Sequence, residues 1–179
     1  MGFLTGKKFL ITGISSNRSI AYGIAKACAR EGAELALSYN NERFKERVQG
    51  FADEFGAGQV IKLDASSDES IDLAALELAN RWTDGFVHSI GWAPRESISG
   101  SFLEGASREG FLSAMNVSVY SYIAMAKRMV PLMAGHKASL LTLSYLGGEK
   151  VVPNYNTMGL CKAALESATR YIAADVGPQ

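Results

Sequence analysis

Residues 7–30 of the chain read KKFLITGISSNRSIAYGIAKACAR, an apolar run that ends at a glycine and leads into a segment with helical spacing. Residues 7–12 are predicted to form a short strand, and Gly13 lets the backbone turn tightly away from its end. Between residues 19 and 30 apolar side chains recur at spacings of three and four, which predicts a helix capped by Ser19. A strand, a glycine turn and a helix are the first step of an alternating α/β chain.

The same alternation continues along the rest of the chain. Further strands are predicted at residues 34–39, 59–63, 85–89 and 138–144, and further helices at residues 44–55, 68–82, 108–133 and after Pro153. We therefore expect one domain over residues 1–179, an α/β fold in which helices cover both faces of a doubly wound parallel sheet. The leucines of the fifth strand face both sides, the pattern of a strand buried within such a sheet. The longest irregular segment, residues 92–107, follows the fourth strand at the carboxyl edge, where open α/β sheets bind ligands.

Composition excludes several classes of function. The 179 residues include 18 Lys and Arg against 18 Asp and Glu, so we expect neither nucleic acid nor a membrane as a partner. No apolar run approaches the roughly 18 residues of a membrane helix, and the first one is too short for a signal peptide, which predicts a cytoplasmic protein. Cys28 and Cys161 lack the spacing of a metal site, so we expect free thiols and no bound metal.

Several strand ends carry residues that a dinucleotide could contact. The first turn lacks the G-x-G-x-x-G spacing, and by itself it is equally an ordinary capped turn or a pyrophosphate site at a helix amino end. Asn40, Asp64 and Ile90 end the second, third and fourth strands, where an outstretched dinucleotide would pass. Each is individually also typical of a plain strand-end turn. Together they favour dinucleotide binding.

Tyr155 and Lys162 are seven residues apart, close to two turns of a helix, so both side chains are predicted to leave the last helix on nearly the same face. A tyrosine hydroxyl can donate to a substrate oxyanion, and a lysine ammonium can stabilise a phenolate or donate to ribose hydroxyls. The alternative is an interface ring beside a solvated charge. Tyr145 follows the fifth strand at the same edge of the sheet, which favours a site.

Five motifs carry a family resemblance: SIAYGIA at 19–25, REGAELA at 30–36, HSIG at 88–91, LTLSYLG at 141–147 and PNYNTMGL at 153–160. With them the chain resembles the NADH-dependent enoyl-acyl-carrier-protein reductases of bacterial fatty-acid synthesis, which are divergent short-chain dehydrogenases with a Rossmann-like sheet. The Tyr-x6-Lys spacing matches these reductases, whereas ordinary short-chain dehydrogenases have Tyr-x3-Lys and position 159 here is Gly.

The resemblance implies an activity and a role for each matching residue. NADH would deliver hydride to the β-carbon of a trans-2-enoyl thioester on acyl-carrier protein, and charge would collect on the thioester oxygen. Tyr155 would donate to that oxygen, Lys162 would hold the nicotinamide ribose, Tyr145 would assist and Ala93 would touch the substrate. The implied cofactor contacts are Gly13, Ser19, Ile20, Asn40, Asp64, Ala65, Ile90 and Lys162.

The resemblance also implies an assembly and a longer chain. Tyr120, Tyr122, Ile123, Met125 and Tyr171 are apolar residues on two helices that short-chain dehydrogenases pair across two-fold axes, so we expect a homotetramer. Relatives continue past residue 178 into further strands and a closing loop, so we expect this chain to be incomplete at its carboxyl end and inactive alone. Two alternatives remain open: a short-chain alcohol or ketone dehydrogenase, and a truncated nucleotide-binding fragment without catalysis.

Overall fold

Five short strands form one sheet in the computed structural model, which describes residues 2–79, 81 and 84–178. They are β1 Lys8–Ile11, β2 Glu34–Tyr39, β3 Gln59–Lys62, β4 Gly85–His88 and β5 Ser139–Thr142. The order across the sheet is β3-β2-β1-β4-β5, and β1 pairs in parallel with both β2 and β4, as β2 does with β3. The order reverses between β1 and β4, the switch point of a doubly wound sheet. The predicted fold class, a parallel sheet with flanking helices, is therefore confirmed.

Seven α-helices lie between and after the strands in the described part of the chain. They are α1 Ile20–Arg30, α2 Lys45–Phe55, α3 Asp68–Leu78, α4 Phe102–Gly105, α5 Arg108–Met115, α6 Ser121–Met129 and α7 Thr157–Val176. As predicted, Ser19 caps α1 by accepting a hydrogen bond from the Tyr22 backbone N–H. None of these helices is long and apolar enough to cross a membrane, and the cytoplasmic location stays a prediction.

Two helices differ from their predicted extent. The helix predicted to reach residue 82 ends at Leu78, and Trp82 lies outside the described residues. The helix predicted over residues 108–133 comprises α5, a π-helical turn at Asn116–Tyr120, α6 and a 3-10 turn at Val130–Met133. Pro131 explains the last change, because proline has no N–H to continue the α-helical ladder.

The chain divides into two compact units. The first comprises Met1–Ser89 and Lys127–Leu141, and the second Ile90–Ala126 and Thr142–Gln179. The core of the first unit joins Ile11 and Leu37 of the sheet to Ala21 of α1 and Val48 of α2, all of them fully buried. The expectation of one domain over residues 1–179 stays a prediction.

β5 is an edge strand in the described sheet. β4 is its neighbour in the sheet order, where the Ser139 backbone N–H donates to Asp84 O at 2.9 Å, while β3 forms the opposite edge. Leu141 is 45% exposed. The leucine pattern had predicted a strand buried on both faces, and at Leu141 that prediction is wrong. Pairing with a neighbouring strand does not bury these side chains, because the faces of a parallel sheet are covered by the helices packed on them.

Asp84 is a buried carboxylate that joins the beginnings of β1 and β4. Its Oδ1 accepts a hydrogen bond from Lys7 Nζ at 2.8 Å, and its Oδ2 accepts one from the Lys8 backbone N–H at 2.9 Å. Burial by itself would raise the pKa of this carboxyl, but the hydrogen bonds and the Lys7 charge hold its pKa below the ordinary value. The pKa of Asp84 is lower in the folded than in the unfolded protein, so its ionised carboxylate stabilises the fold at neutral pH. This stabilisation is lost as the pH falls below about 4 and the carboxylate is protonated.

We expect Asp84→Asn to lower the free energy of unfolding at pH 7 by about 1–3 kcal/mol, because Lys7 and the Lys8 N–H lose a charged acceptor. Chemical denaturation at a series of pH values measures this, and the gap between variant and parent should narrow below about pH 4. Asp175→Asn, at an exposed carboxylate of α7, is the control. A gap that does not change with pH would mean that the substitution acts through packing and not through charge.

Candidate functional site

The turn after β1 requires glycine at its first position. Gly13 has a φ of 82°, and a Cβ there would lie 1.9 Å from the Ser89 carbonyl oxygen. Thr12 joins the same two strand ends, since its Oγ1 donates to Val87 O at 2.9 Å. Gly13 therefore stands at the predicted turn, and the contact that excludes a side chain there is with the backbone that follows β4.

The amino end of α1 is suited to an anionic group. Ser19 Oγ accepts from the Tyr22 N–H at 3.3 Å and donates to Ser16 O at 2.7 Å, which fixes the cap. The first turn of α1, all of it described, contains no acidic residue, whereas α3 begins with two carboxylates. Ile20, the first helical residue, is 67% exposed. N–H groups and the helix dipole at such an end favour a phosphate.

The other predicted cofactor contacts of the first unit follow β2 and β3. Asn40 is exposed, and Asp64 is half-buried with its Oδ1 accepting from the Ser66 N–H at 2.9 Å and the Ser66 hydroxyl at 2.6 Å. Ala65 is buried. The parallel strands β1, β2 and β3 bring these residues to the same edge as Gly13. N–H groups, a neutral amide and a carboxylate at one edge fit the pyrophosphate and adenosine of a dinucleotide.

The second unit begins at Ile90, two residues after the end of β4. Ile90 is half-buried and Gly91 is exposed. A Cβ on Gly91 would lie 3.8 Å from Lys162 Nζ, an ordinary van der Waals distance, so Gly91 lies beside the ammonium without crowding it. Ala93 is buried, with 8% of its surface exposed. The structure thus brings the end of the predicted fourth-strand motif together with Lys162.

Lys162 is a buried lysine on α7. Its Nζ donates to the Leu143 carbonyl oxygen at 2.7 Å, and only 8% of the residue is exposed. Burial lowers the pKa of Lys162, because removal from water disfavours its charged form. The alternative prediction, that Lys162 is a solvated charge on the surface, is therefore wrong.

Tyr155 does not lie on the last helix, contrary to the sequence prediction. α7 begins at Thr157, and Tyr155 stands in the turn before it, between Asn154 and Asn156. Both asparagines have positive φ, 65° and 43°, which no helix accommodates. The seven-residue spacing to Lys162 is therefore not two turns of one helix.

The Tyr155 phenol is half-buried beside a second tyrosine. Its ring meets the ring of Tyr145 edge to face, with 4.8 Å between centroids, and Tyr145 is itself 50% exposed. Burial raises the pKa of Tyr155, and Tyr145 and Cys161 raise it further. The phenol is therefore protonated at neutral pH, in the form that donates a hydrogen bond.

Two glycines make room for the Tyr155 ring. A Cβ on Gly147 would lie 2.3 Å from Tyr155 Cδ1, and a Cβ on Gly159 would lie 2.7 Å from the Gly147 carbonyl oxygen. A side chain at position 159 would displace the Gly147 backbone on which the ring rests. The Tyr-x3-Lys pattern of ordinary short-chain dehydrogenases places a lysine at this position, and this backbone has no space for one.

Glu166 also supports the site, a role that was not predicted from the sequence. Its carboxylate accepts a hydrogen bond from the Ser144 hydroxyl, one residue after the Leu143 carbonyl that Lys162 holds. Two side chains of α7 therefore hold consecutive residues just before Tyr145. The available signal was the spacing of four between Lys162 and Glu166, which places both on one helix face.

Comparison with known proteins places the chain in a family. A family model described as Enoyl-(Acyl carrier protein) reductase matches residues 13–179. The enoyl-[acyl-carrier-protein] reductase [NADH] of Haemophilus influenzae is 51% identical over 181 residues, which cover 100% of this chain and 69% of that protein. The corresponding reductase of Aquifex aeolicus is 50% identical over 178 residues, covering 98% of this chain and 66% of the relative.

Solved structures agree with the sequence relatives. The crystal structure of the Aquifex aeolicus enoyl-[acyl-carrier-protein] reductase (NADH) matches with a TM-score of 0.96 and 49% identity, covering 99% of this chain and 71% of that one. The Anaplasma phagocytophilum reductase, in complex with NAD, matches with a TM-score of 0.94 and 42% identity, covering 99% of this chain and 69% of that one. The Rossmann-like sheet of the short-chain dehydrogenase type is confirmed, and the chain belongs to the enoyl-(acyl carrier protein) reductase family.

Proposed function

We propose that the protein reduces trans-2-enoyl thioesters of acyl-carrier protein with NADH, the last step of the fatty-acid elongation cycle. The observation that carries this is the Tyr155 phenol, half-buried against the Tyr145 ring with 4.8 Å between centroids, in a chain of the enoyl reductase family. A neutral donor of this kind suits a reaction in which charge develops on an oxygen.

The residues at the strand ends would hold the dinucleotide. The N–H groups at the start of α1 bind the pyrophosphate, and Asp64 accepts from the adenine amino group. The hydride for the β-carbon comes from the nicotinamide when NADH is bound. We assign cofactor contacts to Gly13, Ser19, Ile20, Asn40, Asp64, Ala65, Ile90 and Lys162.

Tyr155 acts on the substrate oxygen. As the β-carbon gains hydride, electron density moves to the thioester oxygen, and the Tyr155 hydroxyl donates a hydrogen bond to the developing enolate. Burial raises the pKa of the phenol, so the hydroxyl carries its proton at neutral pH and can donate the hydrogen bond. The α-carbon of the enolate then takes a proton from solvent, which completes the reduction of the double bond. Tyr145 orients the Tyr155 ring through their edge-to-face contact, and Ala93 lies against the acyl group.

Lys162 would bind the nicotinamide ribose. An ammonium has three donors, and one of them goes to the Leu143 carbonyl oxygen, which sets the direction of the others. The exposed Gly91 backbone beside Nζ leaves space that a side chain would occupy. We therefore assign the remaining donors to the ribose hydroxyls.

Spectrophotometry tests the proposal against its two rivals. The kinetic tests are made on the chain extended by the carboxyl-terminal segment of a relative. The extended protein should oxidise NADH with a crotonyl thioester and should not do so with a simple ketone. Oxidation with the ketone alone would indicate an alcohol or ketone dehydrogenase. NADH binding without oxidation of either substrate would indicate a nucleotide-binding protein that performs no chemistry.

We predict that NADH binds more tightly than NADPH. Asn40 is neutral and exposed at the end of β2, and Asn41 next to it caps the following turn by accepting from the Arg43 N–H. The Arg43 guanidinium stacks over the Phe44 ring at 4.6 Å, and Lys45 Nζ lies 5.9 Å from the centre of the Tyr39 ring. These two cations therefore face aromatic rings, and we assign neither of them to a 2′-phosphate. Titration calorimetry with each dinucleotide measures the preference. Arg43→Ala is the matched variant. Tighter binding of NADPH than of NADH by the parent would contradict the prediction. If that preference disappeared in Arg43→Ala, the 2′-phosphate would be assigned to Arg43.

We also predict that the protein forms a homotetramer. Its macromolecular substrate would be acyl-carrier protein that carries the enoyl group. Of the five apolar residues noted in the sequence, Tyr120, Ile123 and Tyr171 are exposed, whereas Tyr122 and Met125 are buried within the protomer. The three exposed side chains support an apolar contact between copies. Sedimentation equilibrium at micromolar concentration measures the assembly, and a stable monomer would count against it.

A further inference from the structure

Tyr155 stands between two asparagines with left-handed backbone. Asn154 has a φ of 65°, and Asn156 has a φ of 43° with a ψ of −118°. Residues other than glycine adopt such angles rarely, and they keep them only where surrounding contacts impose them. Such outliers concentrate at functional sites, so the contacts of these two side chains indicate what the strained turn is for.

Both asparagine side chains bind the same residue. Asn154 Oδ1 accepts a hydrogen bond from the Gly100 backbone N–H at 3.0 Å, and Asn156 Nδ2 donates to the Gly100 carbonyl oxygen at 3.2 Å. One asparagine therefore serves as the acceptor and the other as the donor. We call Asn154, Asn156 and Gly100 the Gly100 clamp.

The Gly100 clamp joins two segments that border one cavity. Gly100 lies between the 3-10 turn Arg95–Ile98 and α4. Phe102 of α4 and Tyr155 both line a cavity of about 310 Å³, together with Leu160 of α7. The clamp therefore fixes the distance between the segment that carries Phe102 and the turn that carries Tyr155.

We propose that Asn154 and Asn156 are positioning residues that hold the Tyr155 phenol in its donating orientation by gripping Gly100. This inference rests on the proposed role of Tyr155 in enoyl reduction. With both neighbours of Tyr155 tied to one backbone residue, the ring keeps its place over Gly147 and against Tyr145. Correct alignment of a donor is worth a large factor in rate, because a displacement of about 1 Å can cost about 100-fold.

A purely structural role would allow different side chains at positions 154 and 156. If the asparagines were present only because they tolerate positive φ, aspartate and glycine would serve equally at both positions. The Gly100 clamp instead requires an acceptor at position 154 and a donor at position 156. The same substitution should therefore have opposite effects at the two positions.

The test compares Asn154→Asp with Asn156→Asp in the reduction of a crotonyl thioester. Asn154→Asp keeps an acceptor oxygen for the Gly100 N–H and is expected to retain most of kcat. Asn156→Asp sets a carboxylate oxygen against the Gly100 carbonyl and is expected to lower kcat about 10- to 100-fold. The KM for NADH should be unchanged in both variants, because neither residue is assigned to the cofactor.

Two further variants separate positioning from folding. Asn156→Gly relieves the backbone strain and removes only the donor, so it should fold at least as well and still lose kcat. Adding Asn156→Gly to Tyr155→Phe should cause little further loss, since residues that act through one group are not additive. NADH dissociation constants measured on every variant report the integrity of the fold.

The outcomes are distinguishable. Parent-like kcat in both Asn156→Asp and Asn156→Gly would overturn the Gly100 clamp while leaving the role of Tyr155 intact. Equal losses in Asn154→Asp and Asn156→Asp would also overturn it, since donor and acceptor would then be irrelevant. A parent protein that fails to reduce crotonyl thioester would overturn the proposed function, and this inference with it.

Discussion

Replacing Tyr155 with Phe is expected to lower kcat for enoyl thioester reduction by about 10²–10³-fold, the effect of removing one donor from a developing oxyanion. The ring remains over Gly147 and against Tyr145, so the loss reports the hydroxyl alone. The dissociation constant for NADH should stay nearly unchanged, because the hydroxyl acts on the substrate oxygen. Steady-state kinetics with a crotonyl thioester and fluorescence titration with NADH give the two quantities.

Tyr171→Phe provides the matched control for this variant. Tyr171 lies on α7 in the same unit, and phenylalanine keeps the ring that we assign to the contact between copies, so loss of the hydroxyl should leave kcat as in the parent. An unchanged kcat in Tyr155→Phe would reject the oxyanion role. A loss confined to NADH affinity would instead move the hydroxyl from the substrate to the cofactor.

Lys162→Met is expected to weaken NADH binding by about 10- to 100-fold, the cost of losing hydrogen bonds from a charged group. Methionine fills much of the volume of the buried lysine side chain, so the change removes the ammonium with little loss of packing. The Leu143 carbonyl oxygen also loses its donor, and a small decrease in thermal stability should accompany the loss of affinity. Titration calorimetry measures the dissociation constant.

Lys127→Met is the control for charge alone, because Lys127 is exposed at the end of α6. Its NADH affinity should match that of the parent. If Lys162→Met also bound NADH like the parent, Lys162 would have to be removed from the cofactor site. Lys162→Met and Tyr155→Phe together separate binding from chemistry. Lys162→Met should change the dissociation constant for NADH, and Tyr155→Phe should change kcat.

The strand–helix order was accessible from the sequence because it depends on local periodicity. The predicted second strand has the same bounds as β2, and the other four agree with the structure within one or two residues at each end. Ser19 was recognised as a cap because a capping hydroxyl binds backbone only a few residues away. The order β3-β2-β1-β4-β5 was not predicted, because strand–helix alternation is compatible with more than one order of a doubly wound sheet.

The candidate site was only partly accessible. Tyr155 and Lys162 stand out by residue type and spacing, yet the geometry inferred from that spacing was wrong, because Tyr155 precedes α7. Nothing in a period of 3.6 residues reveals that two asparagines bind Gly100, more than fifty positions earlier in the chain. Asn-Tyr-Asn after a proline does indicate a turn, and that signal was present in the sequence.

By itself, the sequence determined the α/β alternation, the fold class and the residue types available for chemistry, because each depends on local spacing and on side-chain identity. Tertiary structure alone decided which of those side chains are buried. Tyr122 and Met125 pack inside the protomer while Tyr120 stays exposed, although all three lie on one apolar stretch. Burial depends on which distant segments cover a surface, and such contacts exist only once the chain has closed on itself.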